Sequence, residues 1–209
     1  NLGLLAFILA FTFSMAASHF DNRKKIILQE TKVIATAYSR ASLINTEEGA
    51  HLKALLSEYA VLRGSVGSAG SGGIPEVIRK SERLQAQMWQ DVQAIAADER
   101  AGAVHSLLIQ SINAVFSAHE DRISAGLHNR IPPSIWVALY IVLLLSMIGM
   151  GFHSGIKGSR SPIPTAALAL SFSMVLFLIA DLDRPASGLV KPDQSIMIGL
   201  GKKLEQMEK

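Results

Sequence analysis

Three stretches without a single Asp, Glu, Lys or Arg, residues 1–18, 131–156 and 161–180, constrain this chain more than any other feature. All 20 basic and 17 acidic residues lie outside them. A helix rises about 1.5 Å per residue, so roughly 20 apolar residues cross a hydrocarbon core of about 30 Å. The second stretch, IPPSIWVALYIVLLLSMIGMGF, meets that length with Pro132 and Pro133 at its start and Trp136 and Tyr140 at the level of an interface. The third, SPIPTAALALSFSMVLFLIA, follows a short Gly/Ser/Pro turn, and the two read as a helical hairpin. The first, NLGLLAFILAFTFSMAASHF, reads as a span, with a signal peptide as the rival, because Met15–Ala16–Ala17 supplies small residues after an apolar run. No basic segment precedes it, which favours the span.

Charge then orients the spans. Lys and Arg cluster at one set of ends: Arg23, Lys24, Lys25 and Lys32, then Arg122 and Arg130, then Arg184 and Lys191, against Lys157 and Arg160 alone in the hairpin turn. Cytoplasmic loops carry the basic excess, so the centre and the tail are expected in the cytoplasm and Asn1 outside. Three spans with an outward start predict a further span before Asn1. The same counts remove nucleic acid as a partner despite a pI near 9.3. The net charge of +3 divides into +1 over residues 21–130, +2 over 157–160 and zero over 181–209, which leaves no basic face for a phosphate backbone.

The domain division follows: a transmembrane helix over 1–20, a cytoplasmic helical region over 21–130, a transmembrane hairpin over 131–180 and a cytoplasmic segment over 181–209. Within the centre, apolar residues recur at helical spacing. One helix, about 24–42, carries Ile26, Ile27, Val33, Ile34, Ala37, Tyr38 and Ala41 and continues the first span. A second, about 46–63, places Leu52, Leu55, Leu56, Tyr59 and Leu62 on one face behind a loose cap at Thr46. GSVGSAGSGG at 64–73 has the composition of a flexible linker. Pro75 then opens a third helix through Val77, Ile78, Leu84, Met88, Val92 and Ile95, and a fourth runs over 101–127 through Val104, Leu107, Leu108, Ser111, Ile112, Val115, Phe116 and Ile123. The expected fold is all-α, a polytopic helical membrane protein with a cytoplasmic bundle whose apolar faces also suit subunit assembly.

Chemistry of the enzymatic kind has no visible carrier. His19, His51, His105, His119, His128 and His153 are scattered without a metal-ligand spacing, and neither a Walker loop, a nucleophile elbow nor a dinucleotide fingerprint occurs. Catalytic residues, cofactor and metal are all expected to be none, and His119–Glu120–Asp121 reads as a solvated face. Two junctions stand out. Phe20–Asp21–Asn22–Arg23–Lys24–Lys25 leaves the first span, and snorkelling cations account for it unaided. Asp181–Leu182–Asp183–Arg184–Pro185–Ala186–Ser187–Gly188 ends the third. There Pro185 and Gly188 stop a helix, but two carboxylates stand where the macrodipole disfavours anions and call for Arg184, a partner chain or an ion.

Those two junctions, the run GLLAFILAFTFSMAASHFDNRKKIILQE at 3–30 and the PPSIW opening at Pro132–Trp136 together resemble the bestrophin-like membrane proteins of bacteria. More distantly, the apolar helix leading into Phe20–Asp21 with Arg23, and the acidic-proline-glycine segment, are similar to true bestrophins. The resemblance implies a homopentameric channel in the bacterial inner membrane that passes inorganic anions such as chloride. It also implies a pore lined by the first helix, where Leu4, Phe7, Phe11 and Met15 share a face. That face serves equally as a lipid or packing surface. The alternative function is a non-conducting scaffold whose cytoplasmic helices bind a partner. The resemblance does not carry calcium activation with it, because Lys24 and Lys25 replace the bestrophin tryptophans and the acidic cluster shrinks to Asp181 and Asp183.

Overall fold

The computed structural model describes residues 2–97, 102–127, 129–156, 163–184 and 188–208. Among these residues the regular structure is entirely helical: α1 (Leu2–Ala41), α2 (Glu47–Gly64), a 3-10 turn (Ser65–Gly67), α3 (Gly70–Ala96), α4 (Ala103–Leu127), α5 (Pro133–Ile156), α6 (Ile163–Asp183) and α7 (Ser195–Met207). Three of them, α1, α5 and α6, are long and apolar enough to cross a membrane. The expected all-α membrane fold is what the chain adopts. The Lys157/Arg160 turn lies outside the described residues.

The chain divides into two compact units. The first holds α1 up to Asp21 together with Asn129–Val190. Its core is a thin seam in which Leu5, Leu9 and Ala16 of α1 meet Leu139 of α5 and Ile179 and Leu182 of α6. Spacing at i, i+4 and i+11 puts the α1 residues on one side of the helix. Most of the remaining apolar surface, such as Leu144, Ile148 and Phe152 on α5 and Leu170 and Met174 on α6, faces outward, as helices solvated by lipid require. Thr12, fully buried in the same unit, returns its hydroxyl to the Ile8 carbonyl at 2.8 Å and so needs no outside partner.

The second unit comprises Asn22–His128 and Lys191–Lys209. Here α2 packs against α3 and α7, and α3 against α4, around Ile34, Leu52, Leu56, Leu84, Met88 and Ile112. Helix α2 starts where Thr46 accepts a hydrogen bond from the Gly49 N–H at 3.2 Å, the cap its sequence suggested. The carboxyl of Glu48 is held below its ordinary range by backbone and Thr46 hydrogen bonds at that helix start.

Two segments depart from the sequence-based expectation. Residues 64–73 are not a flexible linker. They form the end of α2, the 3-10 turn and the first residues of α3, which begins at Gly70 rather than at Pro75. Gly70 sits at a φ of 62°, a left-handed conformation that glycine adopts without penalty, so a glycine-rich composition here serves a tight reversal between helices. The tail also contains an unforeseen element, α7, which buries Met197, Gly201 and Leu204 at i, i+4 and i+7. Tyr38 ties its end to α1 by donating to the Glu208 carboxylate at 2.7 Å. Burial and that carboxylate push the Tyr38 hydroxyl up to about 12.

Candidate functional site

Leu5, Leu9, Thr12 and Ala16 occupy the buried side of the first half of α1. Leu4, Phe7 and Phe11 fall on another side, with exposures of 56%, 70% and 59%. At 3.6 residues per turn, Leu4, Phe7, Phe11 and Met15 span an arc of about 80° that excludes the packed face. Met15 marks the edge of this stripe: it is half-buried and packs on the seam. The unit therefore leaves two phenylalanines and a leucine outward on the helix that the sequence singled out.

The junction after α1 is mixed. Phe20 is half-buried against the apolar seam, Asp21 is exposed, and Arg23 is buried. At the end of α6 the geometry decides among the partners the carboxylates were expected to need. Asp181, 8% exposed, accepts the backbone N–H of Leu189 at 2.6 Å through Oδ1 and that of Val190 at 3.0 Å through Oδ2. Asp183 Oδ1 accepts the N–H of Ile131 at 2.9 Å, just before α5 begins. Neither forms an ion pair with the exposed Arg184 among the described residues. Three charge-assisted bonds from backbone donors thus offset the unfavourable macrodipole. They hold Leu189 and Val190 against the end of α6 and join that end to the residue before α5. Pro185 lies outside the described residues.

Gly188 is what allows the fold-back. A Cβ on it would stand 2.7 Å from the Asp181 carbonyl oxygen and 3.2 Å from Asp181 Oδ1, both too close. Gly188→Ala must push the segment at 188–190 away and strip the buried Asp181 of its donors. We expect a loss of about 1–3 kcal/mol, read as lower thermal stability of the detergent-solubilised chain, and unchanged stability would contradict this role for Gly188.

Sequence reasoning missed a buried ionic cluster in the second unit. Glu30 of α1 lies between Arg63 of α2 and Arg122 of α4, with side-chain exposures of 0%, 3% and 9%. Arg63 Nε donates to Glu30 Oε1 at 2.6 Å, and Arg122 Nη1 donates to Glu30 Oε2. Arg122 Nη2 also donates to the Arg63 carbonyl at 3.3 Å and to Gln194 Oε1 at 2.9 Å, which binds the segment before α7 into the network. Arg63 lies over the Tyr59 ring, 5.9 Å from its centroid. Desolvation lowers the pKa of Arg122, opposed by Glu30.

His119 adjoins this cluster and corrects the expectation of a solvated His119–Glu120–Asp121 face. Glu120 and Asp121 are exposed, but His119 is fully buried with Nδ1 3.2 Å from the Tyr59 hydroxyl. Burial first, and then the charge of Arg63, push the imidazole down to about 4, so it is neutral at physiological pH. Burial likewise raises the Tyr59 hydroxyl. Of the other histidines, His51 pairs with Asp91 at 2.8 Å on the surface, and His128 lies outside the described residues.

The helical structure of the described residues, with three helices of membrane length among them, defines a polytopic membrane protein. A family model for the bestrophin-like domain matches residues 3–191, and the chain belongs to that bestrophin-like family, which is channel-like in character. It is also similar to a crystal structure described as that of a membrane protein, with a TM-score of 0.73 over 98% of this chain and 84% of that one. At 13% identity this likeness concerns the fold. No curated protein matches the chain.

Proposed function

We propose that the chain is one subunit of a homo-oligomeric anion channel, pentameric by its family resemblance, whose narrow neck is lined by the first half of α1. The observation that carries the reading is the outward placement of Leu4, Phe7 and Phe11 on a face that its own unit does not use. In a ring of subunits, that face on the symmetry axis makes successive apolar constrictions, which gate by dewetting, while the positive edges of aromatic rings favour anions. Met15 continues the stripe where it meets the seam. On this reading the protein sits in a bacterial inner membrane, with residues 21–130 and 181–209 on the cytoplasmic side, as the basic excess at those ends directs. It works by passive conduction of chloride-type ions and not as an enzyme. The Asp181 and Asp183 staples hold the spans in register around the neck.

The test is halide flux into vesicles reconstituted with the purified chain. Phe11→Ala replaces a ring of benzyl groups by methyls and is expected to raise the flux severalfold. Equal flux in wild type and variant would take Phe11 out of the pore, and a chain that passes no halide would favour a scaffold whose second unit binds a partner.

A further inference from the structure

The buried cluster of the second unit has a composition that its own residues do not balance. Two guanidiniums face one carboxylate, so Glu30, Arg63 and Arg122 together carry a net positive charge where side-chain exposure is at most 9%. An uncompensated charge in such surroundings is costly unless a counter-charge reaches it. The charged and titratable groups around it come from α1 (Glu30), α2 (Tyr59 and Arg63) and α4 (His119 and Arg122), with Gln85 of α3 and Gln194 before α7 as neutral partners. None of them supplies a second negative charge.

Hydrogen bonding is unbalanced in the same direction. Glu30 uses both oxygens, and Arg122 is bonded through Nη1 and Nη2. Among the described residues Arg63 donates from Nε to Glu30, and no second carboxylate pairs with its guanidinium. The Tyr59 hydroxyl accepts from Gln85 Nε2 at 3.3 Å, so its own proton goes to His119 Nδ1, and the neutral imidazole then carries its hydrogen on Nε2. His119 Nε2 is buried and has no partner. The buried polar atom left over is therefore a donor. A water molecule can accept from such a donor but leaves the charge in place, whereas an anion answers both deficits, and a cation answers neither.

We propose that Arg63, backed by Arg122 and bordered by His119, forms an internal binding site for a small monovalent inorganic anion in the second unit. The site is separate from the first half of α1 and stands whether or not the chain conducts. Its anion completes the cluster that joins α1, α2, α4 and the start of the C-terminal arm. Occupancy therefore stabilises the second unit, and the free chloride level becomes a determinant of its stability.

The experiment is thermal unfolding of the purified full chain at constant ionic strength, with sodium gluconate exchanged stepwise for chloride or bromide. Ligand binding to the folded state raises stability logarithmically above its dissociation constant. Wild type is expected to gain a few degrees with a hyperbolic onset. Arg63→Gln should lose that gain. Glu30→Gln, which leaves both guanidiniums without their carboxylate, should be less stable in gluconate and recover more than wild type gains as chloride rises. This rescue keeps the test decisive if the Arg63 variant fails to fold, and bromide anomalous density at Arg63 gives an independent readout. Equal melting in gluconate and chloride for wild type and Glu30→Gln would overturn the proposal. So would an Arg63→Gln variant that retains the full chloride gain.

Discussion

Glu30→Ala is expected to cost the second unit about 3–5 kcal/mol in chloride-free buffer, the largest effect of any single substitution considered for this chain. The size follows from what remains. Removing the carboxylate leaves Arg63 and Arg122, both nearly sealed from solvent, facing each other without a counter-ion. Arg122→Met is the informative contrast, because it leaves the one-to-one pair of Arg63 and Glu30 at 2.6 Å and replaces the second guanidinium by an apolar chain of similar length. Its cost is the loss of the donor that serves Gln194 Oε1 and the Arg63 carbonyl, about 1–2 kcal/mol. Denaturant unfolding can be followed through Trp89, which packs against Phe116 at 6.2 Å between ring centroids, in a Trp136→Phe background. A Glu30→Ala penalty below that of Arg122→Met would sink the view of Glu30 as the hub.

Acid is expected to loosen the same unit through His119. Its pKa falls from an ordinary 6.5 to about 4 on folding, so between those values the unfolded chain binds a proton that the folded chain refuses. Stability from this residue is therefore complete above pH 6.5 and declines as pH falls toward 4, by about 3 kcal/mol in total. The structural reason is specific. An imidazolium at this position would present a donor to a Tyr59 hydroxyl already committed as a donor, beside the buried charge of Arg63. His119→Gln keeps an acceptor for Tyr59 without a titrating group. The difference in unfolding free energy between wild type and variant should shrink or reverse from pH 7 to pH 4, and parallel pH profiles would contradict the assignment.

Much of this architecture could be read from residue order. The charge-free stretches placed α5 and α6, and the apolar stripe that resumes at Ile26 and Ile27 directly after Arg23, Lys24 and Lys25 indicated that α1 continues beyond its span. Thr46 marked the start of α2. Glycine content misled at 64–73, because composition does not distinguish a flexible tether from a tight helix reversal that needs a left-handed residue at Gly70. Helix α7 was legible in principle from Met197, Gly201 and Leu204, but it is only thirteen residues long and carries two glycines, Gly199 and Gly201, which argue against a helix.

For the sites, the residue types were legible and their partners were not. Asp181 and Asp183 stood out against the macrodipole, yet backbone N–H groups of Leu189, Val190 and Ile131 carry no sequence signature. The ionic cluster had a faint one. Arg63 continues the Leu52, Leu56, Tyr59 face of α2, and Glu30 falls between Ile27 and Ile34 on α1, so each places a charge on an apolar stripe. Pairing them needed the tertiary fold, since Glu30 is 33 residues from Arg63 and 92 from Arg122.

The conduction reading stands or falls with the environment of the exposed α1 face. The most direct measurement is an electron cryo-microscopy structure of the assembly in a lipid nanodisc. A ring of subunits with Leu4, Phe7 and Phe11 turned toward a central axis, spaced to leave a narrow apolar neck, is the predicted result. A monomer, or an assembly in which those three side chains face lipid, would contradict it.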